Sequence, residues 1–131
     1  MNEQEILVYL KGIKFEKQLE KLYKLKDKKI VFYGAGEFFE VIKNNYDLSG
    51  FNVIGLCDKR FYLEQEGQEF LGYKIIPYEK LKCYDMDVVL ISTLKYLPIW
   101  DDLDKAFKGR KVKILPLAEK TFLSVLKEIF G

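Results

Sequence analysis

Short, unbroken runs of apolar residues, many of them β-branched, recur along the chain, and between them the apolar positions shift to a helical spacing. Ile30-Val31-Phe32-Tyr33, Phe51 to Cys57, Tyr73 to Ile76, Asp87 to Ser92 and Val112 to Leu115 each read as a strand. A strand that is apolar at consecutive positions must be covered on both faces. Glu37 to Tyr46 carries Phe38, Val41 and Ile42 on one side and reads as a helix, as do Ile99 to Phe107 and a closing stretch from Ala118 to Phe130, while Tyr78 to Lys82 gives a brief helical turn. Doubly buried strands that alternate with helices predict a parallel sheet in a three-layer α/β domain.

Right-handed crossovers favour the order 3-2-1-4-5 for these five mainly parallel strands, which makes the expected architecture Rossmann-like. Ahead of the first strand, Ile6, Leu7, Leu10, Ile13, Phe15, Leu19, Leu22, Tyr23 and Leu25 recur at three- and four-residue steps, an amphipathic helical pattern that Gly12 can divide. The expected organisation is an N-terminal helical segment over residues 1–27 and a Rossmann-like nucleotide-binding domain over residues 28–131, together one globular unit. A chain of 131 residues is long enough for one ordinary core.

Composition narrows the chemistry. The sequence has no histidine, which removes imidazole-based general bases, Ser-His-Asp and Cys-His pairs, and imidazole-held metals. Twenty-two basic residues nearly balance twenty acidic ones, so a net charge of +2 gives no electrostatic case for nucleic acid or for a membrane surface. Arg60 and Arg110 are the only arginines, which disfavours bidentate phosphate recognition by an arginine cluster. Cys57 and Cys83 lack the spacing of a metal or redox pair and suit free thiols in a reducing compartment. No apolar run approaches the roughly 18 residues that span a bilayer. The acidic start Met1-Asn2-Glu3-Gln4-Glu5 is unlike a signal peptide, so the expected location is cytoplasmic.

The stretch Tyr33-Gly34-Ala35-Gly36-Glu37 carries the most chemical information, because it lies where a strand hands over to a helix. Gly34 permits a tight turn and Gly36 lets a phosphate approach the backbone, where the first amides of the helix face the anion. Asp58 ends the next strand, in position to accept hydrogen bonds from ribose hydroxyls. Lys59 and Arg60 can meet a 2′-phosphate or lie in solvent. Ser92, Thr93 and Lys95, at the end of the strongest strand, can form the far wall of the crevice or act as a helix cap followed by a solvated lysine. Phe39 stands where the dinucleotide fingerprint has its third small residue, and Phe38 or Phe39 can instead fill the pocket of a non-binding scaffold. Glu37 adds negative charge near the phosphate. Tyr78 and Lys82 have the spacing of a dehydrogenase dyad but follow the wrong strand. Asp101, Asp102 and Asp104 are expected in the first turn of a helix, as partners of its dipole and not as metal ligands.

The order Lys29 to Gly36, then Val53 to Asp58, then Phe70-Leu71-Gly72-Tyr73-Lys74-Ile75-Ile76-Pro77, then Asp87 to Ser92 resembles the Rossmann-like N-terminal nucleotide-binding domains of bacterial glycan-biosynthesis proteins. These precede the catalytic parts of nucleotide-sugar 4,6-dehydratases and sugar acetyltransferases, and the resemblance spans roughly residues 28–116. It implies that Gly34, Ala35, Gly36 and Asp58 face a nucleotide, whether NAD(P), CoA or a UDP-sugar, in a module of surface-polysaccharide metabolism. The catalytic halves of those proteins have no counterpart in this sequence. The alternatives are a nucleotide-sugar oxidoreductase or dehydratase completed by another chain, and a scaffold or dimerisation domain. The apolar terminal helices, together with Tyr96 to Trp100, point to a homodimer or to docking on a second protein.

Overall fold

The computed structural model describes residues 1–119. The chain runs through α1 (Glu3–Gly12), α2 (Phe15–Leu22), a 3₁₀ turn (Tyr23–Leu25), β1 (Ile30–Tyr33), α3 (Glu37–Asn45), β2 (Val53–Asp58), a 3₁₀ turn (Leu63–Gln65), β3 (Glu69–Phe70), β4 (Tyr73–Pro77), a 3₁₀ segment (Tyr78–Cys83), β5 (Val88–Ile91), α4 (Leu97–Ala106) and β6 (Lys113–Pro116). The closing helix expected over 118–130, a main carrier of the expected partner surface, lies outside the described residues from 120 onward.

The strands form one sheet in the order β3-β4-β2-β1-β5-β6. Pairing is parallel from β4 to β6, in the order expected for five strands. The sixth strand corrects the expected number: Glu69–Phe70 folds back antiparallel on β4. Its two residues are too short to leave a periodic signal. Leu71 (φ 53°) and Gly72 (φ 83°), both in the left-handed region, turn the chain between them. Connections lead from β1 to β2 and β4 on one side and from β5 to β6 on the other, so neighbouring β1 and β5 mark the switch point where such sheets open a crevice at their carboxyl ends.

Each face of the sheet carries its own core. Ile30, Phe32, Leu56, Ile75, Val88 and Leu90 meet α1, α2 and α3 on one face. Val31, Cys57, Ile76, Val89, Ile91 and Ile114 meet Leu81, Leu103 and Phe107 on the other. Alternate residues of β1 enter opposite cores, as pleating requires. All four are buried, which accounts for the unbroken apolar run.

The N-terminal segment is continuous with this core. Asn2 caps α1 through the Glu5 amide (2.9 Å), and Glu5 returns a bond to the Asn2 amide (3.2 Å), a reciprocal capping box. The helix stops at Gly12, and Lys14, in the left-handed region at φ 57°, starts α2. Buried Gln18 then ties both ends of the described chain together. Its amide nitrogen donates to the carbonyls of Ile13 (2.9 Å) and Glu119, and its oxygen accepts the Glu119 N–H at 2.9 Å. Residues of α1 and α2, among them Ile6, Leu10, Phe15 and Leu19, share one cluster with the sheet.

Gly55 shows how closely the central strands fit. A Cβ there would lie 2.4 Å from Ile76 Cδ1 and 3.0 Å from the Lys74 carbonyl oxygen. Gly55→Ala is therefore expected to destabilise the fold by about 1–3 kcal/mol through overpacking against a backbone group that cannot step aside. A urea titration checks this, with the midpoint falling and the slope unchanged.

Candidate functional site

Tyr33 ends β1 with its backbone engaged on both sides. Its carbonyl accepts the Ser92 N–H at 2.8 Å, and the next amide, Gly34 N–H, donates to Cys57 O at 2.8 Å. Gly34 is thus held between the ends of β2 and β5, directly at the switch point. Its φ of +119° and the 2.6 Å from an added Cβ to Thr93 Cγ2 leave no room for a side chain. Ser92 is buried under the turn, and its hydroxyl donates to the Gly34 carbonyl oxygen at 2.7 Å, with that of Tyr33 also in reach at 3.0 Å. Thr93 packs its methyl toward Gly34 and donates its hydroxyl to Lys95 O at 3.1 Å. Both side chains brace the turn, and the Lys95 side chain stands exposed.

The other support comes from the end of β2. Asp58 Oδ2 accepts the Ala35 N–H at 2.7 Å, and Oδ1 accepts the Arg60 N–H at 3.0 Å. The Arg60 guanidinium then donates to the Ala35 carbonyl. Its carbon lies 5.3 Å from the Phe70 ring centroid and 5.7 Å from that of Phe61. Buried Ala35 is therefore bonded at both its N–H and its C=O. Lys59 turns elsewhere, 4.0 Å from an Asp102 carboxylate oxygen and 5.4 Å above the Tyr78 ring.

Gly36 caps α3 without a side-chain hydrogen bond, and an added Cβ there would meet none of the described residues within 4 Å. The first amides of a helix have no acceptor within the helix, so Glu37, Phe38 and Phe39 present theirs at this opening. The two phenylalanines at the start of α3 lie apart. Phe39 is fully buried beneath α3, 5.1 Å from the Phe32 ring and 5.9 Å from that of Tyr73. Phe38 lines, with Met1, Ile6, Glu37 and Leu94, an adjoining cavity of about 220 Å³. The Glu37 side chain is exposed at the rim.

Several other candidates fall elsewhere. Asp101, Asp102 and Asp104 are not in the first turn of their helix, because α4 begins at Leu97 with Pro98 at its start. Asp101 instead pairs with Lys105 at 3.1 Å, one turn on. Tyr78 and Lys82 lie on a 3₁₀ segment, where the Tyr78 ring is 6.1 Å from that of Tyr33. Among the described residues no three acidic, cysteine or histidine side chains converge to hold a metal, and no helix is long and apolar enough to cross a membrane. The parts played by Tyr33, Leu94 and the Phe61–Phe70 pair were not apparent from the sequence, since apolar residues inside or beside strands carry no mark of a ligand site.

A parallel sheet with a glycine turn at its switch point and an open helix N-terminus beside it defines a Rossmann-like domain. Within that class the chain belongs to the C2185-like, N-terminal family, whose profile matches residues 26–114. It is 28% identical over 119 residues to a glutamyl-tRNA reductase of Methanothrix thermoacetophila, covering 88% of this chain and 28% of that protein. The chain thus spans under a third of the length of this curated relative. Among solved structures it is similar to RSP in complex with β-NAD+ and operator DNA (TM-score 0.46, 19% identity, 87% of this chain and 61% of that one). It is also similar to RSP in complex with β-NADH (TM-score 0.45, 20% identity, 88% and 64%).

The two thiols should behave oppositely. Burial beside Asp58 pushes the Cys57 thiol from an ordinary value of 9.0 up to about 12, and burial also raises the neighbouring Tyr33 phenol. The fold favours the neutral thiol, so this contribution to stability is complete below pH 9.0 and is lost as pH climbs toward about 12. Folded protein at pH 8 is expected to react with a thiol reagent at exposed Cys83 and not at buried Cys57, which becomes reactive on unfolding. Denaturation curves across pH 8–10.5 should show stability falling above pH 9, with a shallower fall in Cys57→Ala.

Proposed function

We propose that this chain is a nucleotide-binding module that seats a phosphate group against the open corner at Gly36, with Asp58 toward the ribose and the Thr93–Lys95 stretch forming the opposite wall. The observation that carries this reading is the turn itself. Gly34 and Ala35 are bonded by Cys57, Asp58, Arg60 and Ser92, while Gly36, the N-cap of α3, has no side chain to bond the helix's first amides. A turn fixed on every side but one presents its uncovered amides in that direction, and amides at a helix N-terminus attract anions. The ligand class is a nucleotide of the NAD(P), CoA or nucleotide-sugar type. Its setting in bacterial surface-polysaccharide metabolism rests on the sequence resemblance, and a cytoplasmic location on the two free thiols, Cys57 and Cys83. A homodimer or docked complex through the terminal helices belongs to the same proposal.

Thermal-shift measurements with NAD+, NADP+, CoA, ADP and UDP-sugars test it. A nucleotide at 100 times its dissociation constant adds about 2.7 kcal/mol, which for a domain of this size raises the melting temperature by on the order of 10 °C. Failure of every nucleotide in the panel to stabilise the protein rejects the proposal. A second reading, an oxidoreductase or dehydratase acting on a nucleotide sugar and completed by another chain, draws support from the similarity to a reductase. It requires turnover visible at the absorbance of the reduced nicotinamide once that second chain is present.

A further inference from the structure

Arg60 follows the acid at the end of β2, where a cation can reach a ribose 2′-phosphate. Its actual contacts point another way. The guanidinium donates to the carbonyl of Ala35, one residue before the open amide corner. It is placed against the rings of Phe70 and Phe61 at 5.3 and 5.7 Å, and those rings meet edge-to-face at 5.7 Å. Phe61 is itself fixed by its N–H on the Asp58 carbonyl (3.1 Å), and Phe70 by antiparallel pairing with Tyr73. The backbone of Arg60 is held as well, by its N–H on Asp58 Oδ1 at 3.0 Å. The short edge strand β3 thus provides a ring against which this guanidinium lies.

Resting on the nucleotide reading above, we propose that Arg60 is a positioning residue for the anion-binding turn. It fixes the Ala35 carbonyl away from the opening so that the following amides point into it. Its positive charge acts at the phosphate edge of the site, opposing Glu37, and leaves a 2′-phosphate unrecognised. A planar guanidinium is required, because one face stacks on a ring while an edge donates to the carbonyl. Lysine supplies the charge without that geometry. Asp58 and Arg60 act as a pair, one bonding the Ala35 N–H and the other its C=O.

The test uses calorimetric titration with inorganic pyrophosphate, NAD+ and NADP+, together with amide exchange at Ala35 and Gly36 by NMR. The proteins are the full chain and its Arg60→Ala, Arg60→Lys and Arg110→Ala variants. Arg110 donates to the carbonyls of Lys82 and Tyr84, ahead of the amino end of β5, so its variant removes an equal charge away from the crevice. Arg60→Ala is expected to weaken pyrophosphate about tenfold and to speed exchange at both amides. Arg60→Lys should recover only part of that loss, Arg110→Ala should match the unmodified chain, and the NADP+ to NAD+ preference should not change. Unaltered pyrophosphate affinity and exchange in Arg60→Ala, full rescue by lysine, or selective loss of NADP+ binding would each overturn the assignment. If the unmodified chain binds none of the three probes, the NAD(P) form of the nucleotide reading fails on its own. Exchange then still decides the role of Arg60: faster in Arg60→Ala upholds it as a brace of the turn, and unchanged exchange removes it.

Discussion

The geometry of this molecule turns on the backbone of one residue. Gly34 sits between two strands that leave in opposite topological directions, with its N–H on the end of β2 and its carbonyl under the Ser92 hydroxyl from the end of β5. Parallel strands at a switch point necessarily part company there, and the gap between their loops must be closed by something. A side chain cannot do it, since Thr93 already fills the space where a Cβ would stand. The backbone closes the gap instead. In doing so it aims the next peptide groups out of the sheet toward the start of α3.

That arrangement gives Asp58 a structural part of its own beside the ribose contact proposed for it. An ionised carboxylate has about four lone-pair positions, and two of them hold the Ala35 and Arg60 amides. The remaining capacity leaves room for the proposed ligand hydroxyl while the turn stays bonded. Ser92 has no such spare role: its hydroxyl is buried beneath the carbonyls it serves. Two residues of similar promise in the sequence therefore separate into one that can do both jobs and one that is confined to support.

The sheet was legible because its strands are buried on both faces, so that runs such as Val88 to Ile91 stay apolar at every position. The edge strand Glu69–Phe70 was not, because two residues cannot establish a period and only one of its sides is paired. The start of α4 was misplaced because Leu97 and Pro98 read as an apolar loop, although proline commonly opens a helix; the acids that follow then shift out of the first turn. In the site, the glycines and Asp58 were visible because the turn and the acid follow strands at recognisable places. The partners were not. Contacts such as Arg60 with Ala35, or Ser92 with Gly34, join positions 25 and 58 residues apart, and a single sequence carries no record of which donor meets which acceptor.

Phe39 shows why a departure from a motif need not abolish what the motif does. A small residue at that place lets the helix lie close to the first strand. Here the helix accommodates a full aromatic ring, and the space between α3 and β1 is filled by Phe32, Phe39 and Tyr73 in mutual contact. Burial of that aromatic surface favours the packed layer. The ring is buried in the core, and an added Cβ at Gly36 would meet none of the described residues within 4 Å. What the anion would meet depends on the direction of the first amides, which is set by the bonds to Gly34 and Ala35. The thickness of the layer beneath them is a matter for the core alone.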